Sequence, residues 1–163
     1  MKLLKIPFFH QKKNYTCGPA SLKMVFDFFG MKFKEEDIAR KAKTDKTGTK
    51  HDSLINVARK NGFYCYVHEN GSINQIGHFI DIDLPVIVDY TEPSDGEGHY
   101  AVIIGYDKNK FILNDPWNGK KFHLSFNEFK KRWHDFHKRH VYHCWFLILS
   151  KKKFSIGKQY GPL

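Results

Sequence analysis

The chain has 163 residues, enough for one domain with its own core, since domains commonly run to ~100–200 residues. Apolar residues make up 41%, and no run nears the ~18 continuous apolar residues of a membrane-spanning helix, which excludes a helical membrane protein. The formal net charge is +10, but the basic residues are scattered in short runs and build no zinc finger or aromatic RNA-binding strand pair. A solubilising basic surface is therefore the reading, and nucleic acid is not the expected partner; an acidic or phosphate-rich partner stays open.

The N-terminus, MKLLKIPFFHQ, has no long apolar core and no small-residue cleavage site. It reads against a signal peptide and for a soluble cytoplasmic chain. Residues before Pro7 are expected to be extended. A helix is expected over 17–29, where Leu22, Val25, Phe26 and Phe29 share one face, Gly30 is the stop and Thr16 the cap. Pro19 falls in its first turn, where a missing N–H costs little. Acids precede bases in 35–43, as a helix dipole favours. A third helix follows in SLINVARKNG, with Leu54, Val57 and Ala58 inward, and 73–80 reads as a short helical piece.

The second half changes period. YCYVHE, PVIVDY, HYAVIIGYD and KFILNDP are β-rich runs divided by turn residues, and DKNK joins the last two as a hairpin. FNEFKKRW reads as a short helix capped by Ser125, and HCWFLILS as a buried strand. Helices first and an antiparallel sheet second make an α+β domain over residues 1–150, followed by a polar, loose tail at 151–163.

Three cysteines are present, at 17, 65 and 144, none spaced as a metal pair and none expected in a disulfide. Cys65 and Cys144 lie in strand-like runs and read as buried hydrophobes. Cys17 stands where a polar loop becomes a helix, and unpaired N–H groups at a helix start favour a thiolate. A thiolate nucleophile needs a base, a group that orients the base, and donors for an oxyanion. Of ten histidines, His99 opens a strand beside the loop TEPSDGEG, which reads as a mobile acidic rim or a plain solvent turn. Folding back at DKNK brings Asp115 toward His99, although Asp115 also fits as a turn acid of DPWNG. Gln11 is the candidate side-chain donor for an oxyanion, with the Cys17 N–H as the second. HDFHKRH has metal-like spacing at 134, 137 and 140 but lacks a paired Cys or Glu, so neither a metal nor another cofactor is expected.

Together, Gln11, Cys17-Gly18, His99-Tyr100 and Asp115-Pro116 resemble the peptidases that process double-glycine leader peptides and are fused to bacteriocin-exporting ABC transporters. GTKHDSLINVARKNGF and FNEFKKRW resemble further segments of that family, so the likeness runs from about residue 5 to 150. It implies a papain-like fold and peptide-bond hydrolysis through an acyl-enzyme. Cys17 would be the nucleophile, His99 the base and then acid, Asp115 the orienter and Gln11 the oxyanion donor. Gly18, Gly98 and Tyr100 would lie at the peptide or protein substrate. An acyl transferase or deamidase, and a peptide-binding module that does not cut, are the competing readings. Retention of Cys17, His99 and Asp115 argues against the last.

Overall fold

The computed structural model describes residues 1–163. Five helices and ten strands follow in the order β1 (Lys2–Leu3), α1 (Cys17–Phe28), α2 (Glu35–Lys41), α3 (His51–Lys60), β2 (Tyr64–His68), α4 (Ile73–Asp81), β3 (Val86–Thr91), β4 (Gly98–Asp107), β5 (Lys110–Asp115), β6 (Gly119–Ser125), α5 (Phe126–Arg132), β7 (His134–His137), β8 (His140–His143), β9 (Phe146–Ser150) and β10 (Gln159–Tyr160). The fold is α+β, with one antiparallel sheet of eight strands in the order β10-β2-β9-β3-β4-β5-β6, β1 adding to β4. β7 and β8 pair only with each other, as a separate hairpin. No helix is long and apolar enough to cross a membrane.

The β4–β5 hairpin turns between Asp107 and Lys110, so Val102 stands opposite Asn114, with a bulge between Ile103 and Gly105. That register carries the end of β5 back to the start of β4. α1 packs on β4 and against α2 and α3. Leu22, Val25 and Phe26 are its buried stripe, and Phe26 stacks on Phe63 at 5.4 Å between ring centroids. Gly30 adopts φ +81°, a left-handed geometry that ends the helix without a side-chain penalty. Trp133, Phe129 and Phe111 join α5 to the sheet, with Phe111 and Phe129 edge-to-face at 5.2 Å.

Four features differ from the sequence expectation. Thr16 does not cap α1: its hydroxyl accepts from the Lys13 N–H at 3.1 Å and donates to the Lys13 carbonyl at 3.0 Å. The hydroxyl thus closes the preceding loop, and the first turn of α1 has no side-chain cap. β6 was not anticipated, because GKKFHLS is largely exposed and its apolar period is weak. The His-rich segment 134–143 is a β-hairpin, whose register puts His137 opposite His140 and His134 opposite His143. Residues 151–163 are not loose: Gln159 and Tyr160 pair with β2, and the Arg59 side chain donates to the Gly161 carbonyl at 2.7 Å. The remaining elements fall within a few residues of expectation, and Ser125 caps α5 by accepting from the Glu128 N–H at 3.1 Å.

Candidate functional site

Cys17 is the first residue of α1, and the cleft beside it has two arms. One arm contains Gln11, Tyr15 and Trp117; the other contains His51, Asp89, Asp135 and Trp145. Cys17, Gly98 and His99 belong to both, so the thiol sits at their junction. His99 Nε2–H donates to Asp115 Oδ1 at 2.8 Å. Its other nitrogen, Nδ1, makes no bond to Asp115, and Cys17 lines the same junction of the cleft and raises the pKa of the ring. The three residues arrive from α1, β4 and the end of β5, and it is the β4–β5 register that unites the last two.

The surroundings fix the charge states. Asp115 is wholly buried. Burial would raise its pKa, but the His99 ring, the Asn118 N–H and the Tyr90 hydroxyl hold it below the usual value. Asp115 Oδ1 also accepts from the Trp117 and Asn118 N–H groups at 2.9 and 2.8 Å, and Tyr90 donates to Oδ2 at 2.5 Å. For His99, burial disfavours the imidazolium, yet the bonds to Asp115 and Cys17 prevail and push it up to about 10.

The other sequence candidates fall around this centre. Gln11 is buried, and its N–H accepts no role in the cleft: it donates to the Pro116 carbonyl at 3.0 Å, tying the N-terminal loop to the Asp115 turn. The Gln11 side-chain amide donates to the Lys13 carbonyl at 2.7 Å, which leaves one amide hydrogen uncommitted. Gly18 is buried, and a Cβ there would come within 3.0 Å of Thr49 Oγ1 and 3.2 Å of Tyr100. Packing of α1 on Tyr100 and Thr49 thus accounts for this glycine. Tyr100 forms part of the cleft wall and donates to the Thr49 carbonyl at 2.8 Å. Gly98 is exposed at the junction, where a Cβ would fall 2.0 Å from Asp135 Oδ1. Cys65 is buried, and burial pushes its thiol up to about 12; Cys144 is half-buried, and burial raises it too.

Sequence reasoning missed several groups. Tyr90, in PVIVDY, looked like an ordinary strand aromatic, and nothing local announces its bond to Asp115. Glu92 makes the 91–98 loop something other than a solvent turn. It is buried and accepts from the Ser94 hydroxyl and from Asn118 Nδ2 at 3.1 Å, joining the loop to the turn after Asp115. A second histidine–carboxylate pair, His51 and Asp89, lies in the other arm: His51 Nε2–H donates to Asp89 Oδ2 at 2.6 Å. The His51 ring stacks on Trp145 at 3.9 Å between centroids. No group of three or more His, Cys, Asp or Glu residues is arranged to hold a metal.

A thiol at a helix start, facing a histidine held by a buried aspartate on an antiparallel sheet, is a feature of cysteine-dependent hydrolases. The chain belongs to the Peptidase_C39-like family, whose sequence profile matches residues 3–141. It is 32% identical over 140 residues to the transport/processing ATP-binding protein ComA of Streptococcus pneumoniae, a match covering 82% of this chain and 18% of ComA. The chain therefore spans under a fifth of that relative. An uncharacterized protein of Methanothermobacter thermautotrophicus is 30% identical over 110 residues, 68% of this chain and 71% of that protein. Among solved structures, the fold matches the peptidase domain of Streptococcus ComA (TM-score 0.72, 24% identity, 93% of this chain and 98% of that one). It also matches a putative C39-like peptidase from Bacillus anthracis (TM-score 0.76, 16% identity, 94% and 100%). A third match is a double glycine motif protease solved with its leader peptide (TM-score 0.72, 19% identity, 91% and 93%).

Proposed function

We propose that this protein is a cysteine peptidase with a papain-like mechanism that cuts a peptide after small residues of the double-glycine type. The observation that carries the proposal is the 2.8 Å bond from His99 Nε2 to Asp115 Oδ1, which leaves Nδ1 free at the cleft junction that Cys17 also lines. Family membership and the leader peptide held by a structural relative support the substrate class.

In this mechanism the Cys17 thiolate attacks the scissile carbonyl carbon. The oxyanion is held by the Cys17 N–H, free at the uncapped helix start, and by the uncommitted amide hydrogen of Gln11. His99 gives its proton to the leaving amine as the C–N bond breaks, producing a thioester. It then takes a proton from water, which attacks the thioester and restores the thiol. Asp115 holds the ring in one tautomer and stabilises its charged form. Gly98 leaves room for the Asp135 carboxyl beside His99, and Tyr100 forms wall next to it. The chemistry needs reduced Cys17, which a cytoplasmic setting supplies.

The test is incubation with peptides containing Gly-Gly or Gly-Ala, followed by mass spectrometry, for the wild type and Cys17→Ala. Cleavage after the small residues in the wild type alone is expected. Cleavage that persists in Cys17→Ala removes Cys17 as nucleophile. Amine adducts in place of acids, with amines added, convert the assignment to an acyl transferase.

A further inference from the structure

The arm of the cleft that holds His51 reverses the charge of the molecule around it. In a chain of net charge +10, this cavity of about 640 Å³ is lined by Asp52, Glu69, Asp89, Glu97 and Asp135 against two lysines and the protonated His99. Within it, Asp89 is 4% exposed. Its Oδ2 is taken by His51, while Oδ1 is buried with no hydrogen-bond partner. Asp135, on the separate β7–β8 hairpin, faces it closely enough for the two carboxyls to share a proton. A buried acceptor with no donor is costly, and two opposed carboxylates are costlier still, so the pair needs either a retained proton or a cation between them.

We propose that Asp89 and Asp135 form a subsite for a lysine or arginine side chain of the peptide substrate, in the arm away from Gln11 and Trp117. The proposal rests on the peptidase reading above and adds the chemistry of a second residue of the substrate. On entry the cation displaces the shared proton to solvent, and both carboxylates accept hydrogen bonds from it. Burial raises each acid to about 7; Asp89 pushes Asp135 up further, whereas Asp135 and His99 pull Asp89 down, so the proton is lost near neutral pH. His51 faces the pair from α3 and His99 from β4, while Asp52, Glu69 and His140 face His51. Burial keeps His51 neutral, lowered to about 4, so it donates a hydrogen bond but does not supply the missing charge. Trp145, Tyr142 and Tyr100 surround His51 and offer apolar and π surface to the methylene stem and the cation.

Binding and turnover separate this subsite from the peptidase assignment. Binding is read by fluorescence anisotropy on Cys17→Ala, with labelled, end-blocked peptides that carry a central Gly-Gly. A single Lys, norleucine or Glu is walked through the flanking positions. At one position Lys is expected to bind at least about tenfold more tightly than norleucine, a difference of ~1.4 kcal/mol. Asp135→Asn in the same background should erase that difference. The new amide donates to Asp89 Oδ1, so the fold is kept, which a thermal melt verifies; Asp89→Asn is the second variant. Equal binding of Lys and norleucine at every position, no binding at all, or a Lys preference that survives both Asn variants overturns the subsite. A Lys preference in binding, with no cleavage by the protein with Cys17 intact, keeps the subsite and overturns the peptidase reading. Cleavage without any Lys preference does the reverse.

Discussion

Two histidines, His99 buried and His51 partly so, each donate through Nε2 to a buried aspartate, and they end in opposite charge states. His99, on Asp115, rises to about 10, while His51, on Asp89, falls to about 4. Distance does not separate them, since the His51 bond is the shorter. Burial lowers His51 and Cys17 helps to raise His99, and the rest of the difference lies behind each carboxylate. Asp115 receives two backbone N–H groups and a tyrosine hydroxyl, which stabilise its charge. Asp89 receives no donor on Oδ1 and faces another acid instead. A carboxylate orients a histidine in both places, but it sustains an imidazolium only where its own negative charge is secured.

Exchanging the two histidines' roles by mutation is the strongest way to break this contrast. His99→Ala should lower kcat on a Gly-Gly peptide by about 10³-fold or more, within the range for loss of general acid–base catalysis. His51→Ala should instead raise KM and lower the melting temperature, because it empties a stacked site beside Trp145. A kcat collapse in a folded His51→Ala protein would merge the two pairs into one machine. The next effect is on pH. Activity that needs protonated His99 should persist upward and fall near pH 10, where the ring loses its proton. Asp115→Asn removes the bond and charge that raise His99, so the alkaline limb should move down as kcat falls. Asp89→Asn should leave the limb near 10 and act on KM. The pH–rate profiles of the three proteins check this.

Stability carries the contrast further. Asp135 and Asp89 titrate near 7 folded and near 4 unfolded, so between these values the native state binds more protons. Their contribution therefore weakens as pH rises from about 4 to 7. His51, lowered to about 4, works in the opposite sense and is present in both proteins compared. The stability of Asp135→Asn relative to wild type should accordingly grow across that window, by about 1–3 kcal/mol, as read by urea unfolding at several pH values. A constant gap would show that the two acids do not share a proton. The smallest effect belongs to Tyr90→Phe, which removes one donor from Asp115. A loss of about 1–2 kcal/mol in stability and a smaller fall in kcat than for Asp115→Asn are expected.

The histidine–aspartate contrast also marks what the sequence made legible. The pairing of His99 with Asp115 was legible because a histidine opens a strand and the hairpin length returns Asp115 to it, and the resemblance to a known family joined Cys17 to them. The helices and long strands were legible through period and turn residues. Asp89, Tyr90 and Glu92 were not, because their partners lie far along the chain: His51, Asp115 and Asn118. The 134–143 segment read as charged and His-rich, and its half-exposed residues give no clean alternation. Thr16 was misassigned because a threonine before a helix has two competing uses, and closing its own loop won.

The β7–β8 hairpin has a further consequence. It supplies Asp135 to one wall of the cleft, yet no strand of the eight-stranded sheet pairs with it. It is held at its ends, where the Thr91 hydroxyl donates to the His134 carbonyl and the Asn70 N–H to the His143 carbonyl. Cys17, His99 and Asp115 stand on α1 and the sheet, outside this segment. The cleft is thus built like a tool with an exchangeable jaw: residues 134–143 can be redrawn, in evolution or in the laboratory, to change one wall while Cys17, His99 and Asp115 stay where they are.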